Sequence, residues 1–267
     1  MTLVDDADLE RRFGGLRRLY GSAGTARIRA ARVAVIGVGG VGSWAAEALA
    51  RSGVAGLTLI DLDHVSESNI NRQIQAVGAT LGMAKVEALR QRIADIHPGC
   101  VIDSVEEFVD ETNWPGLLRA PVEVVIDACD NMRAKATIAA WAMATATPLV
   151  VVGAAGGKRA AERVEVGDLG EVTHDPMLAA LRQRLRKFHA APREGPIGIV
   201  CVFSREPVAA PAAAEAASDA VVSDGSLNCH GYGSSVAVTA TFGMVAAGLA
   251  LEFAAVLKGR ARPPVTL

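Results

Sequence analysis

Aromatic residues are scarce in this chain of 267 residues: 4% of positions, against 51% that are hydrophobic. Its core must be filled by aliphatic side chains and alanine. There are four cysteines, Cys100, Cys129, Cys201 and Cys229. No two stand at CxxC spacing, which removes the paired-thiolate zinc site. Their scatter also excludes a disulfide framework, and a reducing compartment, the cytoplasm, is expected. Net charge is only −2, so contact with nucleic acid would need a local basic patch. The first residues, MTLVDDADLE, are acidic and polar and do not read as a secretory signal. One uncharged apolar run, Val236 to Leu251, approaches the length of a membrane span and is followed by Lys258, Arg260 and Arg262. Its alanine, glycine and threonine make it only moderately apolar. It reads as a helix of the core or of a dimer interface, with peripheral membrane association as the competing reading.

Glycine is plentiful, and one cluster of it is informative. A β-branched run, Val33 to Ile36, enters Gly37-Val38-Gly39-Gly40-Val41-Gly42-Ser43. A helical pattern follows, then a second apolar run ending on Asp61 and Asp63. Strand, glycine turn, helix and strand, with an acid at the end, is the layout of a nucleotide site built from backbone. Gly37 serves the tight turn. Gly39 and Gly40 leave backbone N–H groups open to a phosphate, and Gly42 lets the helix sit close to the sheet. Asp61 is placed to accept hydrogen bonds from ribose hydroxyls. The motif alone does not separate a dinucleotide from ATP.

The residues downstream bear on that choice. Ser68-Asn69-Ile70-Asn71-Arg72-Gln73 follows the acid, Lys85 falls in a helical stretch from Gly82 to Ile96, and the strand Val122 to Asp127 runs into Ala128-Cys129-Asp130-Asn131. Arg72 and Lys85 suit triphosphate oxygens and a departing pyrophosphate. Asp130 suits the magnesium that screens them. Taken singly, these are equally solvated charges and a turn; together with the glycine loop they favour phosphate chemistry.

The ordered blocks GVGGVGS, LIDLD, SNINRQ, Lys85 and DACDN resemble the E1-like adenylating superfamily. RFGGLRRLYG (12–21), GSWAAEALARSG (42–53), GIVCVFSRE (198–206) and VTATFGMVA (238–246) are similar to the tRNA threonylcarbamoyladenosine dehydratases within it. The resemblance implies an α/β, Rossmann-like E1-type fold: a mostly parallel central sheet flanked by helices, with a C-terminal extension of the sheet. It implies one continuous domain with an N-terminal arm and helix (1–30), an ATP-binding half (31–157) and a substrate half (158–267) whose mobile crossover loop spans about 205–228. Gly37, Gly39, Gly40, Gly42, Asp61, Asn69, Asn71, Arg72, Gln73, Lys85, Asp130 and Asn131 would then bind ATP. Asp130 would hold Mg2+. Arg72, Lys85 and Asp130 would act in catalysis, joined by Arg12 from the partner subunit of a homodimer.

The implied activity is ATP-dependent activation of the carboxylate of threonylcarbamoyladenosine, next to the anticodon of tRNA, followed by ring closure and net loss of water. Beyond tRNA the resemblance raises a sulfur-relay protein and a monovalent cation as associates, and no DNA. The alternative is adenylation of the C-terminus of a ubiquitin-like sulfur carrier. The missing CxxC pairs argue against it. Cys229, in SDGSLNCHGYG, reads as a nucleophile or as an inert loop residue. Inertness is favoured, because an activated carboxylate beside its own ureido group needs no covalent enzyme intermediate.

Three further segments carry open readings. Gly153-Ala154-Ala155-Gly156-Gly157-Lys158 is not a P-loop, since the lysine comes one residue early and Arg159 replaces Ser/Thr. It is a wall of the substrate pocket or a simple bend. Val164 to Val166 and Ile197 to Phe203 read as strands. Between them Asp175-Pro176 opens a helix with an apolar stripe, Leu178, Leu181 and Leu185. Its other face carries Arg182, Arg184, Arg186 and Lys187, followed by His189 and Arg193. That face is a set of tRNA phosphate contacts or a solvated surface.

Overall fold

The structure is a computed structural model that describes residues 8–209 and 232–256. Seven strands form one sheet: β1 (Arg32–Ile36), β2 (Gly56–Ile60), β3 (Val101–Val105), β4 (Val124–Asp127), β5 (Leu149–Val152), β6 (Val164–Asp168) and β7 (Val200–Ser204). Their order is β3-β2-β1-β4-β5-β7-β6. Every pairing is parallel except β6 with β7. β2 and β7 are buried along their whole length, as strands covered on both faces by crossover helices must be.

The helices are α1 (Leu9–Phe13), α2 (Arg17–Ala30), α3 (Gly42–Arg51), α4 (Lys85–Ile96), α5 (Met132–Thr145), α6 (Pro176–Phe188) and α7 (Val236–Ala255). One apolar layer gathers α2, α3, α4 and α7, including Ile28, Leu49, Leu89 and Phe242. The opposite layer gathers α5 and α6, including Ile138, Leu181 and Leu185. Alanine does much of the filling, so helices approach closely without large side chains. Glu47, almost wholly buried on α3, is held by Arg51 at 2.8 Å and by Arg92 of α4 at 2.7 Å.

α7 is the uncharged run singled out above. Among the described residues it is the one helix long and apolar enough to cross a membrane. Its side chains Val238, Phe242, Ala246, Ala250 and Leu251 are instead buried against the sheet layer. The helix expected over Gly82 to Ile96 begins only at Lys85. Gly82 sits at φ +80° and Ala84 is extended, bridging to His64 in a short antiparallel contact. Lys85 is therefore the first residue of α4 and not an interior one. The run Ile197 to Phe203 joins the sheet only from Val200; the N–H groups of Ile197 and Gly198 donate to the Asp168 carboxylate instead. Most of the expected crossover loop, and Cys229, lie outside the described residues.

Candidate nucleotide pocket

The strand order reverses direction between β1 and β4, and in such sheets ligands bind at the carboxyl ends of the strands beside that switch. A cavity of about 370 Å³ opens there, within the usual range for small-molecule sites. Its walls come from the ends of four strands: Gly37, Gly39 and Gly40 after β1, Asp61 and Asp63 after β2, Cys129 to Asn131 after β4, and Gly153 to Gly156 after β5. Backbone bonds lock the ends together, with Gly37 N–H donating to Ile60 O and Ala128 N–H to Ile36 O, both at 2.8 Å.

The glycine loop has the geometry its sequence predicts. Gly37 adopts φ +79°, and a β-carbon there would stand 2.8 Å from the backbone of Cys129. No other residue type fits both demands. A β-carbon on Gly42 would overlap the Gly37 carbonyl, so the first turn of α3 folds back tightly onto the loop.

Asp61 is buried, and both its oxygens are in use. Oδ2 accepts from Val38 N–H at 2.8 Å and Oδ1 from Asp63 N–H at 2.9 Å. Each oxygen has a second lone pair for an outside donor such as a hydroxyl. Burial pushes its carboxyl above the usual range, against the pull of Lys85 and the two N–H donors. Asp63 grips Lys85 twice: its carbonyl accepts the Lys85 N–H at 3.0 Å, and its carboxylate meets Nζ at 2.7 Å. Lys85 is itself 8% exposed, its partner 55%.

Arg72 is nearly buried at the pocket wall. Its guanidinium donates to Ser68 O at 2.8 Å and to Asn71 Oδ1 at 2.9 Å. No carboxylate pairs with it among the described residues, so its charge faces the cavity uncompensated. Asn69 and Gln73 also line the cavity. The Asn69 oxygen accepts from Ser66 N–H, and the Gln73 oxygen from Gln75 Nε2 at 3.1 Å. Asn71 does not line the cavity; its amide donates to Ser234 O ahead of α7. Asp130 lines the cavity as an exposed carboxylate without an ion pair among the described residues. The Asn131 oxygen is committed to capping α5, accepting from Arg133 and Ala134 N–H. Arg12 is far from its own cavity. It donates to Asp95 O and Ile96 O at the last turn of α4, the end opposite Lys85 and about 17 Å away along the helix.

Several wall residues escaped the sequence reading. His64, Ser66, Glu107, Phe108, Met177 and Thr239 join the lining. Gly153 to Gly156 form wall and bend at once, and the N-cap of α6, Asp175, reaches back to hold Ala154 N–H at 2.9 Å. Below the floor lies a fully buried ion pair, Lys135 with Asp127 at 3.3 Å. Lys135 also donates to the carbonyls of Asp127 and Val152, tying β4 to β5. Burial pulls its amine down most strongly, but the surrounding groups, Asp127 foremost, together leave it raised. Its only signal in sequence is an alanine-rich helix with one cation on the apolar face. Cys129 donates its thiol to Asp127 at 3.0 Å. Burial, reinforced by Asp127, pushes that thiol well above its ordinary value, which keeps it protonated and unreactive.

Comparison with known proteins narrows the identity of this pocket. The ThiF family model matches residues 14–266. A tRNA threonylcarbamoyladenosine dehydratase of Escherichia coli is 39% identical over 263 residues, covering 94% of this chain and 96% of the relative. The protein of the same name from Haemophilus influenzae is 38% identical over 247 residues, covering 91% and 93%. The E. coli dehydratase solved in complex with ATP superposes with a TM-score of 0.81 at 38% identity, over 94% of this chain and 96% of that one. The chain belongs to the ThiF family and, within it, to the tRNA threonylcarbamoyladenosine dehydratases.

Proposed function

We propose that this protein uses ATP to dehydrate threonylcarbamoyladenosine in tRNA, next to the anticodon, in the cytoplasm. The observation that carries this reading is one cavity at the switch of the sheet. It joins a glycine loop, the buried acid Asp61 and the cations Arg72 and Lys85, in a chain that aligns with dehydratases over more than 90% of its length.

The chemistry follows from the groups present. A substrate carboxylate is ionised at neutral pH, so it attacks the α-phosphorus of ATP without a general base. A carboxylate O–P bond forms, the bond to the β-phosphate oxygen breaks, and pyrophosphate leaves. Arg72 and Lys85 stabilise the charge that builds on the transferring and departing phosphates. The acyl-adenylate then closes when its own ureido group attacks the acyl carbon, expelling AMP and releasing one proton. The substrate loses one water overall while ATP becomes AMP and pyrophosphate. Holding both reacting groups in one side chain supplies the effective concentration.

Asp130 fits a nucleotide-borne magnesium. Such an ion takes one or two carboxylates, with phosphates and waters completing its shell. Bound there, it would neutralise charge on the departing pyrophosphate.

The test is direct. Purified protein, Mg-ATP and tRNA bearing threonylcarbamoyladenosine are incubated, and digested nucleosides are weighed by mass spectrometry. Loss of one water, dependent on ATP and abolished in Asp130→Ala, supports the reading. An unchanged nucleoside, with ATP–pyrophosphate exchange appearing only on addition of a small sulfur-carrier protein, overturns it in favour of carrier adenylation.

A further inference from the structure

α6 starts at the cavity and leaves it. Met177, in its first turn, lines the cavity, and its cap Asp175 holds the cavity wall at Ala154. The buried stripe, Met177, Leu178, Leu181 and Leu185, faces the core. On the outer face a second, open groove is lined by Ala179, Arg182, Gln183, Arg186, Lys187 and Arg193. At about 1.5 Å rise per residue its first residue, Ala179, lies roughly 3 Å beyond Met177, and its helix cations, Arg182 to Lys187, roughly 8 to 15 Å beyond.

The groove gathers cations that no carboxylate answers among the described residues. Elsewhere several arginines are answered by carboxylates: Arg17 and Arg29 by Glu10, Arg32 by Asp103, Arg51 and Arg92 by Glu47, Arg90 by Glu87. None of Arg182, Arg186, Lys187 and Arg193 has an ion pair among the described residues. Two are fixed by carbonyls, which orient a guanidinium without neutralising it. Arg182 donates to Leu169 O and Val172 O at 3.1 and 2.7 Å, and Arg186 to Pro192 O at 2.9 Å. Arg184, which the sequence placed with them, points elsewhere, 3.9 Å from Glu111 and against the Phe188 ring. The basic set is therefore four cations in one groove and not a uniformly charged helix.

We propose that this groove binds the backbone phosphates of the substrate tRNA, and that it sets the distance from those phosphates to the nucleotide inserted at the cavity. The proposal rests on the dehydratase reading. Fixed guanidinium groups with open donors suit phosphate oxygens. Such contacts position an RNA without reading its sequence. The groove's helix cations lie roughly 8 to 15 Å along α6 from Met177 at the cavity. A bound RNA can thus touch both at once. With the net charge of the chain at −2, a focused patch is what would attract a polyanion.

The test uses Lys187→Gln/Arg193→Gln, which touches neither carbonyl-bound arginine. Affinity for unmodified tRNA is measured across salt concentrations, together with ATP affinity and thermal unfolding. The expected result is tRNA binding weakened about tenfold or more at low salt. The slope of log K against log salt should become shallower by about 1.4 to 1.8, as for two lost phosphate contacts. ATP affinity and melting temperature should hold, and Lys187→Arg/Arg193→Lys should restore binding. Unchanged tRNA affinity and slope, in a protein whose wild type binds and converts tRNA, would overturn the groove assignment and leave the function standing. A wild type that neither binds nor converts tRNA would overturn the function and the groove with it. Weakened association with anionic phospholipid vesicles, with tRNA binding intact, would overturn it in favour of a membrane surface.

Discussion

Lys85 owes its position to backbone geometry more than to its own charge. It is the first residue of α4, and Asp63 holds both its N–H and its Nζ. Asp63 is half exposed, so solvent screens the pair and the bond is worth little on its own. The amine can exchange that carboxylate for a phosphate without leaving a charge buried and bare. Lys85→Ala should lower the single-turnover rate of tRNA conversion by on the order of 100-fold or more, as loss of one preorganised donor does. Asp63→Asn keeps the backbone contact and should cost about tenfold or less. Equal losses in both variants would make Lys85 a structural partner of Asp63 instead. At this scale the sequence was legible where a residue's neighbours announce its task. Gly37 and Asp61 stand at the ends of apolar runs, and their surroundings follow from that. Asn71 and Asn131 sit in the right blocks, but their side chains hold Arg72 and the α5 cap. Which hydrogen bond an amide chooses depends on atoms brought from elsewhere in the chain.

The elements below the cavity are held by a charge pair that no local pattern reveals. Lys135 and Asp127 are both wholly buried, and one Asp127 oxygen has no hydrogen-bond partner. Burial of such a pair is costly, and breaking it leaves one charge stranded. Lys135→Met should therefore destabilise the protein by about 3–5 kcal/mol, seen as a lower urea midpoint. Lys135→Met/Asp127→Leu should recover most of that loss, because the remaining charge goes too. Recovered stability without recovered turnover would mean that the pair aligns the Asp130 turn with the Gly153–Gly156 wall. A double variant as unstable as the single would show that the Lys135 bonds to the carbonyls of Asp127 and Val152 matter more than the charges. Most strands and helices were readable, since β-branched runs and striped or alanine-rich stretches declare their type, but α5, Met132–Thr145, was not among them. Nor were the ends of the elements. α4 starts three residues late because Gly82 adopts a left-handed backbone and Ala84 bridges to His64, a contact made across the chain.

At the scale of the whole molecule, Arg12 separates two architectures. Its guanidinium caps the carbonyl end of α4, where a cation is favourable, and about 17 Å of helix divides it from Lys85 at the other end. It does not reach its own cavity, so a catalytic Arg12 must serve a partner subunit. Sequence resemblance raised that role, and a single chain gives it no contact to act on. Mixing separates the possibilities. Arg12→Ala and Asp130→Ala are each expected to be inactive alone. If the protein is a dimer and Arg12 works across the interface, a mixed dimer contains one complete site: Asp130 from the first variant and Arg12 from the second. Unfolding and refolding the two together in equal amounts should then restore about a quarter of wild-type turnover, since half of the dimers are mixed and each has one intact site of two. If Arg12 only caps α4, its variant should instead retain turnover and lose about 0.3–1 kcal/mol of stability. Two inactive variants that fail to complement on mixing would rule out the shared site.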